Sequence, residues 1–261
     1  MIRIIAVLLA LVAGETAADT LEWRIFRATA DVDTVISSAS RQIRQQPHSA
    51  ALYIERGNAR FYASEYDGAI EDFERALSLD PEAHLARFGR GMALGRSGEV
   101  RAGVAAIDAY LEHHPQSSLA YTKRGIRYLW LGELDNARAD FERAIELDEG
   151  NAEAHDDLGV IHAQQRDFRA AERLFKQAIA LDPGYQKAFH NLALVYYLLG
   201  RSERALKVVD DALVLQADNR DSVMLKAVIL ESLGRMQEAT ALKALAETLE
   251  AGDWSERSTV E

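Results

Sequence analysis

The chain has 261 residues, 48% hydrophobic and 27% charged, with four Pro, no Cys and a formal net charge of −11. That balance excludes a disordered chain, and the lack of Cys excludes a disulfide scaffold, a cysteine zinc site, a thiol nucleophile and a lipidated N-terminal Cys. An acidic chain also argues against nucleic acid as the main partner, because phosphate binding needs clustered Lys and Arg.

Residues 1–18 read as a secretory signal peptide: Arg3 is the positive start, Ile4 to Ala13 are all apolar, and small residues follow. Cleavage after Ala18 is expected, with Gly14 as the alternative site. The apolar run is shorter than the roughly 20 residues of a membrane span. An uncleaved anchor and a folded first helix are the competing readings. Later in the chain no apolar run is long enough to read as a span. The expectation is an exported chain, periplasmic or secreted, with no stable membrane anchor once the leader is removed.

Residues 19–49 form an N-terminal segment that ends in a capping helix. The stretch Leu21–Phe26 is ambiguous between helix and extended chain, and 30–46 reads as one helix stopped at Pro47. From there the prolines act as a ruler. Pro47, Pro81 and Pro115 are evenly spaced, and Pro183 stands two such intervals further on. The missing tick falls at Glu149, in LDEGNAEA, which aligns with LDPEAHLA and LDPGYQKA. A fixed period of this size, about 34 residues, signals a repeat architecture.

The aligned residues resemble the tetratricopeptide repeat family. The first repeat matches its pattern with Tyr53, Gly57, Ala69, Phe73, Ala76 and Pro81. The third matches with Tyr121, Gly125, Tyr128, Ala137, Phe141 and Ala144. The fourth matches with Leu158, Gly159, Ala171, Phe175, Ala178 and Pro183, and the fifth with Phe189, Leu192, Ala193, Tyr196, Ala205 and Ala212. The second is weaker, with Gly103, Ile107 and Tyr110 replacing Ala, Phe and Ala. The sixth is weakest, with Lys243 in place of the aromatic. The resemblance implies an all-α fold, a right-handed superhelical solenoid of stacked antiparallel helix pairs. Its repeats would be 50–83, 84–117, 118–151, 152–185, 186–219 and a degenerate 220–251, with a flexible tail at 252–261. Small residues at 57, 91, 125 and 159 let the helices of a pair approach, and the aromatics fill the space between repeats.

One departure from the family pattern is informative. The usual Leu before the Gly is Arg at 56, 90 and 124, and sixteen residues later stand Asp72, Ala106 and Asp140. Where Leu158 and Leu192 keep the family residue, Leu174 and Val208 follow at that interval. Arg goes with Asp and apolar with apolar, so ion pairs Arg56–Asp72 and Arg124–Asp140 are expected within repeats. The rival reading is an arginine ladder for an anionic ligand, with Arg90 its best member.

Catalytic motifs are absent: no Gly-x-Ser-x-Gly, His-Glu-x-x-His or phosphate-binding loop occurs. The chain is read as no enzyme and as needing no cofactor. His155 and His162 lie seven apart on one helix face and read as packing residues rather than metal ligands. His113 and His114 read as solvated, and Asp156 with Asp157 as an exposed helix start. What remains is a surface. The resemblance implies that first helices line a peptide-binding groove, whose candidates here are Ile54, Asn58, Tyr62, Leu85, Phe88, Met92, Arg96, Thr122, Ile126 and Trp130. In the fourth and fifth repeats the same positions hold Glu153, Asp156, Lys187, His190, Leu194 and Leu198. Of the clamp with which family members hold chaperone tails, only Asn58 is present. The expected role is a scaffold binding a protein or peptide, as monomer or homodimer; the N-terminal stretch or a second copy could instead cover the groove. The alternatives are a small-ligand or metal-binding periplasmic protein, using Arg90, Arg96 or the His155/His162 face, and a non-catalytic subunit of an envelope enzyme complex.

Overall fold

A computed structural model of the protein describes residues 32–250. The leader, the Leu21–Phe26 stretch and the tail fall outside them. Among the described residues there are thirteen helices and no strand: α1 (Val32–Gln45), α2 (Ala50–Tyr62), α3 (Tyr66–Leu79), α4 (His84–Ser97), α5 (Val100–Leu111), α6 (Ser118–Trp130), α7 (Leu134–Leu147), α8 (Ala152–Gln164), α9 (Phe168–Leu181), α10 (Gln186–Leu198), α11 (Ser202–Leu215), α12 (Arg220–Ser232) and α13 (Met236–Thr248). The fold is an all-α helical repeat solenoid. It divides into two compact units, one up to Leu147 and one from Asp148.

Start signals are local. Ser117, Asn151 and Asn219 accept hydrogen bonds from the N–H groups of Ala120, Ala154 and Ser222, capping α6, α8 and α12. The turn inside each helix pair also repeats. Ser64, Gly98, Gly132, Arg166, Gly200 and Gly234 all have positive φ, from 63° to 100°, and they recur at the interval of the prolines. The left-handed conformation is costly for a residue with a Cβ. Arg166→Gly should therefore stabilise the second unit by about 1 kcal/mol, seen as a higher denaturation midpoint. A lower midpoint would show that the turn does not set the cost.

Packing inside a repeat rests on a glycine under a ring. A Cβ added at Gly57, Gly125 or Gly159 would stand 2.9, 2.7 and 2.7 Å from Phe73, Phe141 and Phe175, all three buried. The second repeat departs from this. Ile107 replaces the ring, and α4 and α5 approach backbone to backbone: a Cβ at Gly103 would stand 2.8 Å from the Gly91 carbonyl oxygen and 2.9 Å from the Gly95 nitrogen. In the first unit Phe61, Phe73, Phe88, Met92, Ile107 and Tyr110 form one buried cluster. In the second, Phe175, Leu192, Tyr196, Val209, Ile229 and Leu230 form another. The last helix, α13, buries only Ala239 and Ala246, and Lys243, at the aromatic position, pairs with Glu231 at 2.5 Å.

The two expected ion pairs form. Arg56 donates to both oxygens of Asp72 at 2.8 and 2.5 Å, and Arg124 to both oxygens of Asp140 at 2.8 and 2.6 Å. Asp72 also accepts from Arg60 at 2.9 Å. Both aspartates are buried.

Candidate functional site

In the first unit the first helices of the pairs are α2, α4 and α6. The ten candidates on them differ in exposure. Phe88, Met92, Thr122 and Ile126 are buried, whereas Ile54, Asn58, Tyr62, Leu85 and Arg96 are half-buried and Trp130 is 40% exposed. Phe88 packs on Tyr110 with ring centroids 5.0 Å apart, and Thr122 donates its hydroxyl to the Ser118 carbonyl at 3.0 Å. The expected lining of a peptide-binding groove is thus corrected at these four positions, which belong to the buried side of the same helices. Arg96 lies over the Tyr66 ring, 5.3 Å from its centroid, and donates to the Tyr66 hydroxyl at 2.9 Å.

Trp130 rests on a residue that pattern reading passed over. The Arg127 guanidinium lies 5.0 Å from the Trp130 ring and is fully buried. It donates to the carbonyls of Lys123 and Met92, each at 3.1 Å. Room for it exists because position 95 is Gly: a Cβ there would stand 2.6 Å from Arg127 Nε. Residues 90–95 therefore carry packing chemistry, with Gly95 as the signal in the sequence.

The second unit presents a different first-helix face, on α8, α10 and α12. The pair Asp156 and Asp157, read from sequence as an exposed helix start, is buried. Lys187 reaches Asp157 at 2.7 Å and Asp156 at 3.4 Å, and Asn191 donates to Asp156 at 2.9 Å. Burial pushes the Asp156 carboxyl up to about 6 against the pull of Lys187. The neighbouring His190 ring lies 3.0 Å from the Ser222 hydroxyl, and burial lowers its pKa to about 4. Beyond this polar patch lie Leu194, Leu198 and Met224, exposed by 37%, 52% and 37%.

His155 and His162, which share a helix face, do not converge on one site. His155 Nε2 lies 3.2 Å from the Glu149 carbonyl, and His162 lies 3.7 Å from Asp167. Among the described residues no group of three His, Asp or Glu side chains is placed to hold a metal ion. His114, expected in solvent, is instead stacked on Tyr110 with centroids 4.3 Å apart, and His84 lies 4.8 Å from the rings of both His113 and His114.

Helix pairs recurring at one fixed interval, each closed by a small residue under its partner helix, define a helical-repeat class. The tetratricopeptide repeat pattern matches residues 54–118, 90–152 and 122–185 in one form and 162–229 in another. The chain belongs to the tetratricopeptide repeat family. Among solved structures it is similar to a tetratricopeptide repeat protein from Parabacteroides merdae ATCC 43184, at 18% identity and TM-score 0.70, covering 91% of this chain and 94% of that one. PilW, a type IV pilus biogenesis factor, aligns at 22% identity and TM-score 0.67, over 75% of this chain and 90% of its own. A chain of the APC/C hetero-tetramer Cut9-Hcn1 aligns at 15% identity and TM-score 0.74; this protein covers 90% of itself and 48% of that chain. At these identities the likeness is one of fold. No curated protein matches the chain.

Proposed function

We propose that the protein is a non-catalytic scaffold that holds a segment of a partner protein on its first-helix face. The observation that carries this is where the apolar surface lies. Among the described residues, the large hydrophobic side chains exposed on first helices are Trp130, Leu194, Leu198 and Met224. They fall at the thirteenth, ninth, thirteenth and fifth places of their repeats, all places from which the family's first helices meet peptides. Exposed apolar side chains mark an interaction surface; Leu194, Leu198 and Met224 supply it on the first helices of the second unit and Trp130 on those of the first, while Val214, Leu215, Met236 and Leu245 are exposed on second helices. The leader-like residues 1–18 support a setting outside the cytoplasm, in the periplasm.

The scaffold reading is tested by substitution at exposed positions only, because a charge at Phe88 would unfold the first unit. Trp130→Glu and Leu198→Glu should abolish capture of partners from an envelope extract while helicity by circular dichroism is unchanged. Arg173→Glu, on the second helix α9, should leave capture intact. Retention of every partner by both face variants would overturn the reading.

A further inference from the structure

The arginine row has one member without its carboxylate. Arg56 and Arg124 each place Nε and Nη2 on the Asp sixteen residues later, with Nε donating at 2.8 Å in both. Each Nη1 reaches back to the preceding helix, to Ser40 Oγ of α1 at 3.1 Å and to Asp108 Oδ1 of α5 at 2.6 Å. Arg90 holds the same place on α4, but position 106 is Ala, and the reach back to the exposed Glu74 spans 4.0 Å. Its Nε, the atom that is satisfied in both sister residues, is buried with no hydrogen-bond acceptor.

The missing side chain leaves room. A cleft of about 450 Å3 opens at this point, lined by Leu77 of α3, by Arg87, Arg90 and Leu94 of α4, and by Ala102 and Ala106 of α5. That volume suits a small molecule. Arg87 is held in place by its bond to the Pro81 carbonyl at 2.6 Å and adds a second positive charge to the lining. The walls are otherwise leucine, alanine and Pro81.

We propose that this cleft binds a small organic carboxylate carrying a hydrocarbon arm. The ligand's carboxylate takes the place that Asp72 and Asp140 fill in the sister repeats, forked onto Nε and Nη2 of Arg90. A guanidinium edge offers two parallel N–H groups, which match the two oxygens of a carboxylate. The arm lies on Leu77, Leu94 and the alanines of α5, where burial of CH2 groups favours binding. The site is separate from the first-helix face and does not depend on the scaffold reading.

Hexanoate is the probe, followed by calorimetric titration and by amide chemical shifts in the intact chain. Saturable binding at millimolar or lower concentration is expected, with shifts centred on Arg90 and Ala106, and with hexan-1-ol at least tenfold weaker. Ala106→Asp gives Arg90 its own carboxylate and should abolish hexanoate binding. Arg90→Gln should weaken hexanoate at least tenfold and leave hexan-1-ol unchanged, and it decides the matter alone if Ala106→Asp does not fold. Absence of saturable binding to the wild type, or equal hexanoate affinity in the wild type and Arg90→Gln, overturns the proposal.

Discussion

Asp140→Ala should cost the fold about 3–5 kcal/mol, against ~0–1 kcal/mol for an exposed ion pair. The carboxylate is buried, and its removal strands an Arg124 guanidinium that is only 20% exposed, leaving it Asp108, itself half in solvent. Burial lifts the Asp140 carboxyl above its ordinary value even with Arg124 beside it, so the charge is kept at a desolvation cost. Two consequences follow. Asp72→Ala should cost at least as much, because it takes the buried carboxylate from Arg56 and one of two carboxylates from Arg60. The double change Arg124→Leu with Asp140→Leu should recover most of the loss, since an apolar pair replaces buried charge without an orphan; Leu158 with Leu174 already does this in the fourth repeat. Denaturant unfolding measures all of these. A loss for Asp140→Ala no larger than that for the exposed Glu142→Ala would contradict the account.

Gly103→Ala is the second large effect, and its sign decides between two arguments. Helix propensity favours Ala over Gly by about 1 kcal/mol, so local preference predicts stabilisation. Ala is also the residue at the matching positions 69, 137 and 171, where it is fully buried. In the second repeat, however, a Cβ would meet the Gly91 carbonyl at 2.8 Å and the Gly95 backbone nitrogen at 2.9 Å. Backbone atoms cannot rotate aside as a side chain can, so α4 and α5 must separate and Ile107 loses its seat. Overpacking of this kind costs about 1–3 kcal/mol, and the net change should be destabilising. A raised melting temperature for Gly103→Ala would show that the helices separate freely.

The repeat period was legible in the sequence from the even spacing of the prolines, and the helix pairs and the two Arg–Asp bridges because each rests on spacing within one repeat. Properties that depend on a neighbouring element were not. The left-handed turn residue recurs at the same interval as the prolines, but Ser64 and Arg166 interrupt its glycines and hide it. Phe88 and Met92 stand at the family's groove positions of α4, yet they belong to its buried side, Phe88 packed on Tyr110; a position within the repeat gives no depth. Asp156 and Asp157 read as solvated because the partner that lets them be buried, Lys187, stands in the next repeat. Arg127 carries no signal of burial within its own repeat, because the residue that makes space for its guanidinium, Gly95, stands on another helix.

The central claim is that partners meet the first-helix face. Site-specific photo-crosslinking in the native host tests it most directly, with a benzophenone amino acid placed at Trp130, at Leu198 and, on the second helix α9, at Arg173. Discrete adducts are expected from positions 130 and 198, with none from 173. Adducts from 173 alone, or equal adducts from all three positions, would contradict the claim.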